Sequence, residues 1–195
     1  MITAISKRIS LFLYKNNVID SEDIEIYMYG FEIIVSTIFA TLIILAIGIL
    51  LRMVALSILY LIIFSSLRQM TGGYHADTYF KCNLSFGIIS FCILVLTRIL
   101  SQDHVYSLNI HLLFLLFSTL VIIVYAPVEN PNKPLDEKQK RKNHICSILS
   151  AIILSAVSCA CFTCNYSASI LIGLTLFIVA MLILIVKMKR KGEEK

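Results

Sequence analysis

Residues 68–82 read RQMTGGYHADTYFKC and separate the apolar runs 53–67 and 84–100. As a loop between two membrane crossings, it brings the number of crossings to six and both ends of the chain to one side. It is also the polar stretch with no evident packing task. Arg68, Gly72, Gly73, His75, Lys81 and Cys82 fall within these fifteen residues.

The rest of the chain supports a membrane setting. Of 195 residues 58% are hydrophobic, and the mean hydropathy is +0.87. Charged residues make up 15%, against about 25% in ordinary soluble domains. The apolar excess is gathered into long runs, which points to a multi-spanning protein rather than a soluble one with a large core. Residues 1–15 lack the continuous apolar stretch and small-residue site of a secretory signal. The net charge of +5 comes from clusters beside the runs. That suits topology and anionic lipid, not nucleic acid.

Six apolar runs are read, near 33–51, 53–67, 84–100, 108–126, 145–164 and 168–186. A crossing helix needs about 20 residues, so the second run is short and borrows Arg52 and Arg68 as snorkelling ends. No run carries a charge at its middle, which argues against an ion or proton path. With the N-terminus inside, fifteen of the seventeen Lys and Arg residues are cytoplasmic, and only Arg52 and Arg98 are external. The positive-inside rule therefore places both termini and the 68–82 loop in the cytoplasm. The expected fold is one all-α membrane domain over residues 1–195. It has an N-terminal region (1–30), a six-span bundle (33–186) and a basic tail (187–195).

Residues 1–15 read as an amphipathic helix, with Ile2, Ile5, Ile9, Phe12 and Leu13 at helical spacing. It is expected to be an interfacial helix in the headgroup plane, with packing against the spans as the alternative. Asp20 or Ser21 is expected to cap the next helix. Residues 127–143 hold Pro127, Pro131 and Pro134 and are expected to form a loop. Its basic run Lys138–Lys142 reads as a topology anchor or as a docking patch for an acidic segment. Cys92, Cys146, Cys159, Cys161 and Cys164 lie in or beside apolar runs and read as small packing residues. No metal site or cofactor is expected. His104 and His111 read as isolated, and His144 as a surface or interfacial residue. Several tyrosines, such as Tyr27, Tyr125 and Tyr166, lie near run ends, as an aromatic belt would.

The parts for acyl transfer are present in the 68–82 loop. A cysteine attacks as thiolate, and an imidazole can take its proton and return it to a leaving amine. Lys81 and Arg68 add a positive field. Gly72 and Gly73 allow a tight turn and a close approach of another chain. On one straight helix the Cα atoms of His75 and Cys82 would be about 10.5 Å apart, so the two are expected on different elements or across a kink. Arg68 reads equally as a carboxylate clamp or as a span end. Asp77 and Gln69 are both available to orient His75.

The pattern Arg68-x3-Gly72-Gly73-x-His75-Ala76-x5-Cys82, followed by an apolar span, resembles the signature of the accessory gene regulator B (AgrB) family. Ala126-Pro127 and Asn132-Lys133-Pro134, with a basic run after them, are similar too. The resemblance implies a bacterial membrane endopeptidase of quorum sensing, with His75 as base and Cys82 as nucleophile. It implies a short propeptide substrate with an amphipathic leader and an acidic tail, cut through a thioester and cyclised to a thiolactone or lactone. It also implies a homodimer. The rivals are a non-catalytic peptide exporter or scaffold, and a membrane acyltransferase acting on lipid.

Overall fold

A computed structural model describes residues 2–72, 78–102, 106–128 and 136–193, the last four by backbone alone. Among these residues the chain forms α1 (Ile2–Lys15), a short 3-10 turn (Ser21–Asp23), α2 (Ile24–Leu50), α3 (Val54–Thr71), α4 (Tyr79–Gln102), α5 (Leu108–Tyr125), α6 (Glu137–Cys164) and α7 (Tyr166–Glu193). The six helices after α1 are long and apolar enough to cross a membrane. The all-helical reading therefore holds, with six helices that could each cross a membrane.

The helices outrun the apolar runs that mark them. Helix α6 begins at Glu137, so the basic run 138–142 is helical and not part of a loop. Glu, Lys, Arg and Gln are nearly as good helix formers as Leu, so the helix continues where hydropathy stops. Asp136 caps it, its carboxylate accepting from the Glu137 N–H at 2.9 Å. Asp20 stands in extended backbone before the 3-10 turn but makes no side-chain cap.

Helix α1 packs along α2 and buries Ser6 and Ser10 rather than its bulkiest residues. Phe12 is exposed. Small residues let two backbones approach closely, which favours the packed placement over the free interfacial one for this face.

Helix α7 is the axis of the bundle. It packs against α3, α4, α5 and α6. Its residues Ile170, Leu171, Leu176, Ala180 and Ile183 are fully buried. A helix apolar on all sides is expected at a core. Large side chains on the outer helices, such as Leu42, Ile88, Leu113 and Ile153, point outward, where acyl chains would meet them.

The bundle has two distinct ends. At one, Gly72 pairs with Val128. At the other, the Arg98 guanidinium donates to the Leu51 carbonyl at 3.5 Å and the Tyr166 hydroxyl to the Tyr106 carbonyl at 2.6 Å. His111 belongs to this second end and is not isolated. Ser158 Oγ donates to the Ser169 carbonyl at 2.9 Å, and Ser169 Oγ to the Ser158 carbonyl at 2.7 Å. Both hydroxyl protons are thereby used. His111 Nε2 is left to donate to the two hydroxyl oxygens, at 2.9 and 3.1 Å.

This polar knot joins α5, α6 and α7, and Gly173 makes room for it. A Cβ at Gly173 would stand 2.7 Å from His111 Cε1 and 3.2 Å from Nδ1. The ring cannot move without losing both serines. Gly173→Ala is expected to destabilise the bundle by about 1–3 kcal/mol, seen as a lower midpoint in thermal unfolding of the detergent-solubilised chain. An unchanged midpoint would mean that α5 can slide at no cost.

Candidate active site

The polar stretch 68–82 is only partly a loop. Arg68 lies in the last turn of α3, and Cys82 in the first turn of α4. The segment between the helices is 72–78. Thr78 starts α4: its Oγ1 accepts from the Lys81 N–H at 3.3 Å and its carbonyl from the Cys82 N–H at 3.0 Å. With no Gly or Pro between Thr78 and Cys82, the helix forms once a capping residue is present. Cys82 thus stands near the positive end of α4, where a helix favours anionic side chains.

Cys82 is half-buried, and Lys81 is exposed. The Arg68 guanidinium lies over the Phe64 ring, 5.8 Å from its centroid, and interacts electrostatically with the Cys82 thiol and the Tyr60 phenol. Tyr79 stands in the same electrostatic neighbourhood, with Cys82 and the Glu32 carboxylate. The other five cysteines lie farther along α4 or in α6. The structure therefore places four of the expected site residues, Arg68, Gly72, Lys81 and Cys82, at the junction of α3 and α4. Gly73 and His75 lie outside the described residues, as do Asp77 and the predicted bend between His75 and Cys82. Among the described residues no cluster of His, Cys, Asp or Glu is arranged to hold a metal.

Gly72 is the residue at which the chain leaves α3. Its backbone, φ 68° and ψ −153°, is one that residues with a Cβ rarely adopt. It abuts residues 126–128, which run as a strap across the end of the bundle. The Val128 N–H donates to the Thr71 carbonyl at 2.8 Å. A Cβ on Gly72 would overlap the Val128 carbonyl oxygen. Ala126 and Val128 are buried, and Ala126 is tied in turn to α6 by His144 Nδ1, 2.6 Å from its carbonyl.

His144, expected at the surface or the interface, is half-buried and bonded to the strap. Its partner is a backbone carbonyl, and no residue type announces that. The Pro127 that ends the α5 run was the available signal for the strap. Lys138, Arg141 and Lys142 line a shallow depression on the first turns of α6 with Ile145 and Cys146.

The model of the accessory gene regulator B family matches residues 6–186. An AgrB-like protein of Clostridium beijerinckii is 30% identical over 157 residues, which cover 80% of this chain and 74% of that protein. One from Clostridium perfringens (strain SM101 / Type A) is 28% identical over 145 residues, 73% of this chain and 68% of that protein. The accessory gene regulator protein B of Staphylococcus intermedius is 25% identical over 130 residues, 67% of each chain. No solved structure matches.

Proposed function

The chain belongs to the accessory gene regulator B family, and we propose that it is a membrane cysteine endopeptidase that cuts and cyclises a signalling propeptide. The observation that carries the reading is Cys82. It stands in the first turn of α4, in the field of Arg68, directly after the segment that holds His75.

The steps use few parts. His75 takes the Cys82 proton, and the thiolate attacks the carbonyl carbon of the scissile peptide bond. The C–N bond breaks as the imidazolium gives its proton to the amine of the departing tail. The N-terminal part of the peptide stays on Cys82 as a thioester. A thiol or hydroxyl within that peptide then attacks the thioester. The C–S bond to Cys82 breaks, and the proton from the attacking group returns to the enzyme. The product is a thiolactone or a lactone. Exchange between two thiols keeps the acyl group activated, which hydrolysis would waste.

The substrate on this reading is a short propeptide with an amphipathic leader and an acidic tail. Arg68, Lys81 and the 138–142 run supply the opposite charge at the same end of the bundle. The charge distribution of the sequence puts that end in the cytoplasm of a bacterial cell membrane. A homodimer is the expected assembly.

The reading is tested by trapping the intermediate. Co-expression with a short candidate propeptide, built with an amphipathic leader, a central Cys or Ser and an acidic tail, is expected to give a chain heavier by the N-terminal peptide fragment in intact mass. Neutral hydroxylamine should remove the added mass, and Cys82→Ala should not acquire it. An adduct on another cysteine, or cleavage with no thioester dependence on residue 82, would sink the mechanism.

A further inference from the structure

We propose that the outer side of α6, at its first turns, is a binding site for one anionic phospholipid. Lys138, Arg141 and Lys142 hold the phosphate, and Ile145 and Cys146 lie under the start of the acyl chains. The site is independent of the chemistry at Cys82.

The basic run has two sides. At 3.6 residues per turn, Lys140 keeps the register of His144, Ser147 and Ala151. Ser147 and Ala151 are buried, and His144 bonds to the Ala126 carbonyl. That side is turned to the bundle. Lys138, Arg141 and Lys142 fall on the opposite side and are exposed. With Ile145 and Cys146 they line one shallow depression. Helix α6 packs against α3, α5 and α7 through its other side.

What lies below the three cations decides the occupant. Ile145, Leu149, Ile152 and Ile153 continue the same side of α6, and each is about half exposed. From Arg141 to Ile153 the helix rises about 18 Å, more than half of the ~30 Å hydrocarbon core of a bilayer. A free phosphate or an acidic protein segment would meet the cations and leave the apolar strip bare. An anionic phospholipid meets both, with its charge at the head and its chains below. The Arg141 guanidinium can present its fork to two phosphate oxygens, and the lysines on either side add point charges. A phosphatidylcholine head group carries a cation of its own, which the three side chains repel. Anionic head groups attract such basic clusters beside a span.

Cys146 is half-buried in the depression, so the site carries its own reporter. The full chain is placed in nanodiscs of phosphatidylcholine, with or without admixed phosphatidylglycerol. N-ethylmaleimide labelling is followed at each cysteine peptide by mass. Cys82, at the same end of the bundle, is the internal reference. Phosphatidylglycerol is expected to slow Cys146 several-fold relative to Cys82. Lys138→Gln, Arg141→Gln and Lys142→Gln together should abolish the slowing. Glutamine keeps the helix propensity, and an unchanged Cys146 rate in phosphatidylcholine discs reports an intact helix. If the triple variant fails to fold, Arg141→Gln alone decides, with a weakened slowing expected. Lys7→Gln, Arg8→Gln and Lys15→Gln, which remove three cations elsewhere, should leave the slowing intact.

Equal slowing of Cys146 and Cys82, or loss of the slowing in the N-terminal variant, would reduce the effect to general surface charge and overturn the site. Slowing of Cys146 by a soluble glutamate peptide in phosphatidylcholine discs, to the same extent, would assign the face to an acidic segment instead. A Cys146 already unreactive in phosphatidylcholine discs would mean that protein covers the face, a second copy included.

Discussion

Cys82→Ala is expected to abolish removal of the tail from a co-expressed propeptide, with the protein inserted at its normal level. Loss of the nucleophile removes the covalent route altogether, so the fall in rate should be at least about 10⁴-fold. Insertion should survive because the side chain is half-buried at a helix start and alanine is the best helix former. His75→Ala removes the base but keeps the thiol, and a fall of about 10²- to 10⁴-fold is expected. The measurement is the ratio of cleaved to full-length peptide on a gel, with membrane content checked by blot. Undiminished cleavage by Cys82→Ala would exclude Cys82 as nucleophile.

The second large effect belongs to a residue with no side chain. Gly72→Ala meets two obstacles at once. The φ of 68° with ψ of −153° lies in a region open essentially to glycine, and the new Cβ would overlap the Val128 carbonyl oxygen. The backbone term alone is about 1–3 kcal/mol. Relief of the overlap must move either the strap or the exit of α3, and a displacement of about 1 Å at a reacting centre costs roughly 10²-fold. Tail removal should therefore fall by about that factor or more in Gly72→Ala. Val128→Ala, which keeps the backbone bond to Thr71, should be milder. Near-normal cleavage by Gly72→Ala would show that the direction of the chain after α3 is immaterial to the chemistry.

Much of this molecule was legible before any coordinates. The number of crossings follows from apolar runs interrupted by polar stretches, and a bilayer leaves helices few alternatives. Helix ends were not legible in the same way. At α4 and α6 the polar residues continue the helix, because Lys, Glu and Gln carry good helix propensity whatever their hydropathy. The face of α1 was legible in part. Ile2, Ile5, Ile9 and Leu13 of its apolar stripe are half-buried, but its fully buried residues are Ser6 and Ser10.

The residues around the site divide likewise. Cys82 stood out because it alone among six cysteines lay in polar sequence. His111 was hidden at the edge of an apolar run, and its partners Ser158 and Ser169 are 47 and 58 residues away. His144 and Val128 act on backbone atoms, and pairing with a backbone carries no residue code. Gly72 was visible as a glycine, but the oxygen it lies against comes from a segment beyond α5.

The position of α7 in the chain bears on how the protein is made. It is translated after every helix it packs against. Helices α3 to α6 therefore leave the ribosome with their inner faces uncovered, and Ser158 reaches the bilayer ahead of Ser169, its partner on α7. The half-built protein is an open ring of helices around an absent centre. Assembly closes in a single late event, when the most apolar helix enters a slot that its predecessors have held open.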